Sequence, residues 1–216
     1  MLMIQAIAFD FDGVIVDSNR LKYDAWFHLF SDHTEVSEAL VRDVLSRISQ
    51  TRYDILREIF IQIGKEQSDV EKLVLDYGAR YNTLVQDAIA AGGVIGGVRE
   101  TLEALAPRYA LYINSATPHE ALQEAVARAG FHSLIKAAYG TPATKEENLR
   151  AIMHAEGIGS NEILMVGDGE GDLSAARKVG CPFIGVANEW NKWHDKDFPL
   201  VSDLRPLPHM IPGLTR

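Results

Sequence analysis

The sequence predicts an α/β fold: a Rossmann-like parallel sheet with helices on both faces, carrying a small helical bundle as an insertion. Three observations lead there. Short apolar runs ending in polar residues recur along the chain, helix start and stop signals lie between them, and Asn19 to Ala91 shows helical periodicity without a strand candidate. The 216 residues, 47% of them hydrophobic and 24% charged, suffice for one core domain with an insertion, and the balance is that of a globular chain. The expected boundaries put residues 1–17 and 93–216 in the sheet-bearing core and residues 18–92 in the helical insertion.

The first strand is Ile4 to Phe9, an apolar run that ends in Asp10-Phe11-Asp12-Gly13, as a buried parallel strand followed by a sharp turn would. Ala110 to Ile113 repeats the pattern into Asn114-Ser115, and Ile163 to Val166 repeats it into Gly167-Asp168-Gly169. Phe183 to Ala187 reads as one more strand. Between them, Thr117 and Glu120 have capping-box spacing with Pro118 at the first helical position and Gly130 at the stop. Thr144 and Glu147 have the same spacing, with Lys145 in the first turn and Gly157 near the end. Asp172 to Val179 makes a shorter helix, stopped by Gly180 and Pro182. In the insertion, Tyr23, Trp26, Phe27 and Phe30, then Leu40, Val44 and Leu45, then Ile55, Leu56, Ile59 and Phe60 mark apolar helix faces. Gly92, Gly93, Gly96 and Gly97 cluster at the return to the core, where a flexible hinge is expected.

The formal charge of -9, from 30 acidic and 21 basic residues with no Lys/Arg-rich run, argues against nucleic acid as a partner. An anionic substrate must then be attracted locally, by a cation, a lysine or backbone amides. One cysteine, Cys181, cannot form an internal disulfide and is expected as a small core residue, so the cytoplasm is the default location. Met1 to Phe9 lacks the basic start of a signal peptide, and no apolar run suggests a membrane partner. The seven histidines have no metal spacing, and Trp190 and Trp193 are expected as packing anchors.

In an open parallel sheet, ligands bind beyond the carboxyl ends of the strands. Asp10, Asp12, Ser115, Lys145, Asp168 and Asp172 all fall at strand ends or adjoining helix starts, so they are expected to converge on one crevice. Carboxylates brought together repel unless a cation holds them, and an all-oxygen set suits Mg²⁺. Lys145 adds a positive charge to face a phosphate, and Ser115 with the amides of the following helix can donate to phosphate oxygens. Asp10-Phe11-Asp12-Gly13 alone is most simply a turn, and Ser115 and Lys145 alone are ordinary loop and cap residues. The Gly167 to Asp172 segment is not a dinucleotide fingerprint, because Asp172 occupies the position of the last glycine.

Taken in order, Asp10-Phe11-Asp12-Gly13-Val14, Ser115, Lys145 and Gly167-Asp168-Gly169-Glu170-Gly171-Asp172 resemble the haloacid dehalogenase superfamily. The resemblance spans nearly the whole chain, includes a helical cap inserted after the first motif, and is greatest to the phosphoglycolate phosphatase and β-phosphoglucomutase branch. It implies Asp10 as nucleophile and Asp12 as the acid that protonates the leaving oxygen and then activates water. It also implies magnesium on the Asp10 side chain, the Asp12 backbone carbonyl and Asp168, with Asp172 supporting the metal's water shell. Ser115 and Lys145 absorb developing charge, and Gly13 and Ala116 are expected to contact substrate.

Lys145 is followed by Glu146 where close relatives often have proline, although Gly140-Thr141-Pro142 supplies a variant of that motif. Dehalogenases of the superfamily have no acid at the position of Asp12, so its presence here points to phosphate chemistry. Arg47 and Arg52 flank a segment that includes Ser49, Gln50 and Thr51 and in related proteins reaches the substrate; the competing reading is a solvated loop with surface arginines. The expected activity is a magnesium-dependent phosphatase that hydrolyses a small phosphorylated metabolite through an aspartyl-phosphate, as a monomer or homodimer. Two alternatives stay open: a phosphoglucomutase-like phosphotransferase, and a non-catalytic phospho-aspartate switch, against which the position of Asp10 on the first strand argues.

Overall fold

The computed structural model describes residues 3–48, 51–91 and 93–214. The chain divides into two compact units, Met1–Asp17 with Gly92–Arg216, and Ser18–Ala91. The first is built on a six-stranded, wholly parallel sheet of β1 (Ala6–Phe9), β2 (Ala110–Pro118), β3 (Ala137–Thr141), β4 (Ile163–Gly167), β5 (Phe183–Val186) and β6 (Leu200–Val201). Their spatial order is β3-β2-β1-β4-β5-β6, the order of a dinucleotide-type Rossmann sheet, in which the topology reverses between β1 and β4.

Register decides what that reversal gathers. Phe9 pairs with Ile113 of β2 and with Val166 of β4, so Asp10, Asn114 and Gly167 leave the sheet side by side. The central strands are apolar on both faces, as a sheet covered twice requires. Ala6, Ala8, Tyr112, Ile163 and Met165 share a core with Leu149 and Ile152 of α7 (Lys145–Glu156) and Ala175 and Ala176 of α8 (Glu170–Val179). Ile7, Phe9, Leu111, Ile113, Leu164 and Val166 alternate to the other face and are equally buried. Right-handed crossovers place α5 (Val98–Leu105) and α6 (His119–Arg128) on that side.

Local signals explain several helix ends. Thr144 caps α7 in a reciprocal capping box with Glu147, and Gly157 closes it at φ 67°; Gly180 closes α8 at φ 78°, a left-handed conformation that glycine adopts without strain. The box expected at Thr117 and Glu120 is absent. β2 runs on through a register shift to Pro118, which pairs with Thr141, and α6 starts at His119 without a side-chain cap. Tertiary pairing wins there because the Thr117 hydroxyl has a partner across the sheet, described below. Three elements lack a strong sequence signal: β3, interrupted by Gly140, the two-residue β6, and α5. α8 also starts two residues before the expected Asp172.

The second unit holds α1 (Ser18–Leu29), α2 (Glu38–Arg47), α3 (Arg52–Gln62) and α4 (Gln67–Ala90). Its core joins Trp26, Phe30, Val41, Val44, Leu56, Ile59, Phe60 and Tyr77. Phe30 stacks on Tyr77 at 5.5 Å, and Phe60 meets Tyr77 edge-on at 5.0 Å, the offset and T-shaped geometries that the ring quadrupole favours. No described helix is long and apolar enough to cross a membrane.

At the chain's return to the core, Asp17 donates to the Gly93 carbonyl at 2.8 Å and Ile95 to the Ile15 carbonyl at 3.0 Å. The two connecting segments are therefore tied to each other, and Gly97, at φ 86°, serves as the N-cap of α5. Gly92 lies outside the described residues.

Candidate active site

Asp10 is the first residue after β1. The residue is 6% exposed, and one carboxylate oxygen accepts from the Phe11 amide at 2.7 Å. The Lys145 ammonium, from the first turn of α7, lies 2.9 Å from the other Asp10 oxygen and 2.5 Å from Asp172 Oδ1. Asp172 is 1% exposed and its Oδ2 accepts from the Gly169 amide at 3.0 Å, so this carboxylate both caps α8 and holds Lys145. Asp10, Asp168 and Asp172 each offer an oxygen within 4.8 Å of the others.

This crowding strains the charges in opposite directions. Burial and then the neighbouring Asp172 push the Asp10 carboxyl well above the usual range, while Lys145 pulls it down. Burial works against the Lys145 charge, but Asp10 and Asp172 outweigh it and hold the ammonium above its ordinary value. Asp168 is raised by burial, opposed by a hydrogen bond from Asn188. Three carboxylates against one ammonium leave two negative charges, which a divalent cation balances. The all-oxygen donor set fits a hard ion, so Asp10, Asp168 and Asp172 can hold a metal.

Two glycines make room for this arrangement. A Cβ on Gly13 would stand 2.1 Å from Asp168 Oδ2, and one on Gly167 would stand 2.3 Å from Asp172 Cγ. Gly13 also has φ 76°, costly for any other residue. Gly13→Ala is therefore expected to destabilise the protein by about 2 kcal/mol or more. Thermal unfolding would show it, with Gly96→Ala as the near-silent control, since nothing lies within 4 Å of a Cβ there.

The other expected site residues are placed as follows. Asp12 accepts from the Thr117 hydroxyl at 2.9 Å across the β1–β2 boundary. Ser115 is buried at the carboxyl end of β2, and its hydroxyl oxygen accepts from the Thr117 amide at 3.1 Å. Ala116 beside it is exposed. The Gly13 amide donates to the Val16 carbonyl at 2.8 Å, so it is already engaged inside the turn.

In the helical unit, the Arg47 guanidinium is bound to Asp43 at 2.6 Å and lies 3.8 Å from Glu58. Arg52 donates to Asn82 at 2.8 Å. Both arginines thus have partners within that unit, and Ser49 and Gln50 lie outside the described residues. Trp193 is buried against Phe183 and Phe198, as an anchor should be. Trp190 is not an anchor: it is 40% exposed and lines a pocket of about 290 Å³ with Gly13 and Asn188. Cys181 is half-buried, and burial pushes its thiol up to about 11.

A model of haloacid dehalogenase-like hydrolases matches residues 7–186. The chain belongs to this family. It is 28% identical over 180 residues to a 5'-nucleotidase of Pseudomonas aeruginosa, covering 74% of this chain and 80% of that protein. It is 26% identical over 202 residues to a phosphoglycolate phosphatase of Vibrio parahaemolyticus, covering 87% and 86%. Among solved structures, a haloacid dehalogenase superfamily hydrolase of Geobacter sulfurreducens superposes with a TM-score of 0.72 at 21% identity over 96% of each chain.

In this haloacid dehalogenase-like hydrolase, several polar residues of the site carry no motif of their own. Asn114 donates to the Lys145 carbonyl at 2.9 Å and accepts from Asn148 at 3.0 Å. That pair, buried between β2 and α7, fixes the turn from which Lys145 reaches the carboxylates. Thr117 is concealed by its apparent capping box. Asn188 follows the last strongly apolar strand, so the strand-end rule that finds Asp10 and Asp168 could have found it too.

Proposed function

We propose that this hydrolase is a magnesium-dependent phosphatase that cleaves a small organic phosphate monoester through an aspartyl-phosphate on Asp10. The observation that carries the reading is the Lys145 ammonium seated between Asp10 and Asp172, with Asp168 in the same cluster. A structural ion pair does not require a third, half-buried carboxylate beside it; a phosphoryl-transfer site does, because it must hold a cation and a nucleophile together. The family match and the phosphatase and nucleotidase relatives support the same chemistry.

In this reading an Asp10 oxygen attacks phosphorus in line with the ester oxygen, the P–O ester bond breaks, and Asp12 gives its proton to the leaving alkoxide. Water then attacks the aspartyl-phosphate while Asp12 takes up a proton, so inorganic phosphate leaves and both carboxylates are restored. Thr117 holds Asp12 in position for both transfers. Lys145 and Ser115, with the exposed Ala116 backbone beside it, face the phosphoryl oxygens and offset charge as it develops. Magnesium, held by Asp10, the Asp12 carbonyl and Asp168, would neutralise phosphoryl charge, with Asp172 in support. Residues 18–92 serve in this reading as a cap that selects the substrate, with Arg47 and Arg52 as its candidate substrate contacts.

The test is phosphate release from a panel of phosphorylated small molecules, including sugar phosphates, nucleoside monophosphates and phosphocarboxylic acids, with magnesium and again with excess EDTA. Release with magnesium and background with EDTA is the expected result. Equal release in both arms would overturn the metal assignment, and accumulation of a sugar bisphosphate would replace the phosphatase by a phosphomutase.

A further inference from the structure

Beyond the last strong strand the chain reads Asn188-Glu189-Trp190-Asn191, a polar loop that the mechanism above leaves unused. Its two asparagines are wired in a reciprocal pattern. The Asn188 amide donates to Asn191 Oδ1 at 3.1 Å, and Asn188 Oδ1 accepts from the Trp190 and Asn191 amides, each at 2.9 Å. Those acceptor halves close the loop on itself, as Asx turns do.

The donor halves go elsewhere, and both go to one residue. Asn188 Nδ2 donates to Asp168 Oδ2 at 2.8 Å, while Asn191 Nδ2 donates to the Asp168 carbonyl at 2.9 Å and to the Val186 carbonyl at 2.7 Å. Closing the loop does not need the Asn188 donor. Nor does burial demand it, since Asn188 and Asp168 are both half-buried and water could satisfy either group. The bond therefore orients the carboxylate. Oδ2 is held by the Asn188 amide and packed against Gly13, where even a Cβ would collide, so the carboxylate is oriented within the cluster it shares with Asp10 and Asp172.

We infer that Asn188 and Asn191 form a clamp in which Asn191 fixes the main chain of Asp168 and Asn188 fixes its carboxylate, so that the loop after β5 sets how tightly the protein holds its divalent cation. The inference deepens the proposed function and rests on Asp168 as a metal ligand. Partners that orient a ligand from outside the coordination shell typically change metal affinity about 10- to 100-fold when removed. Asn188 is thus a positioning residue, acting only through Asp168.

Calorimetric titration of the metal-free protein with magnesium tests this directly. Asn188→Ala should bind magnesium about 10-fold or more weakly than wild type, and its melting temperature in EDTA reads separately the loss of the acceptor that closes the loop. In turnover assays the variant should need more magnesium yet approach the wild-type rate at saturation. Wild-type binding matched by equal binding in Asn188→Ala would overturn the clamp alone; failure of the wild type to bind magnesium would overturn the metal reading and the clamp with it. If the variant does not fold, the wild type decides by NMR, because the Asn188 side-chain amide resonances must shift as magnesium saturates the site. Resonances unmoved at saturation would reject the clamp.

Discussion

Asp10→Asn is expected to remove turnover, by about 10⁴-fold or more, while the protein stays folded. Loss of a covalent nucleophile in a site whose groups act as a unit has effects of that order. The fold should tolerate the change because Asn has nearly the same shape, one of its atoms can still accept from the Phe11 amide, and Lys145 keeps Asp172 as a partner. Removing one of the crowded carboxylates also relieves its repulsion with Asp172, which is among the causes that raise Asp10. The checks are phosphate release, circular dichroism and unfolding temperature on the same preparation. A folded variant with near wild-type turnover would exclude Asp10 as the attacking group, and the aspartyl-phosphate with it.

Lys145→Met should damage stability as well as activity. The Lys145 side chain is 14% exposed, and its ammonium lies between the carboxylates of Asp10 and Asp172, whose side chains are 9% and 1% exposed. Without it Asp10 and Asp172 face each other with no cation between them. Breaking one partner out of a buried ion pair typically costs about 3–5 kcal/mol, because the remaining charge is left uncompensated. For a chain of this size each kcal/mol corresponds to roughly 2–4 °C in melting temperature. The variant measured in EDTA should therefore melt far below wild type, and added magnesium should recover part of the loss by supplying positive charge at the same carboxylates. Turnover should stay low even with magnesium, since a metal does not replace a donor facing the phosphoryl oxygens. A melting temperature unchanged in EDTA would mean that the ion pair contributes little, contrary to its burial.

Much of this molecule is legible in one dimension because its local signals are strong and agree with the final fold. The apolar runs before Asp10 and Asp168, the Thr144–Glu147 capping box, the Gly157 and Gly180 stops and the helical periodicity from Tyr23 to Phe60 each act over a few residues, and each appears where sequence puts it. The strand-end rule then suffices to expect Asp10, Asp168, Asp172 and Lys145 in one place, since parallel strands in register deliver their carboxyl ends to one edge.

What sequence could not decide were contests between a local partner and a distant one. Thr117 has the spacing of a helix cap, but its hydroxyl goes to Asp12, 105 residues away in sequence, and the helix starts without it. Trp190 and Trp193 look alike on paper, yet only Trp193 is buried, because the Asn188–Asn191 turn sends one ring into the core and the other to a pocket wall. The two-residue β6 is held by its pairing with β5 and has too few residues to show a period. Gly13 illustrates both levels: a tight turn could be read from Asp-Gly, but the need for empty space against Asp168 exists only once β1 and β4 lie side by side. Residues near in sequence fixed the elements, and the parallel register, which no short segment encodes, determined which polar atoms meet.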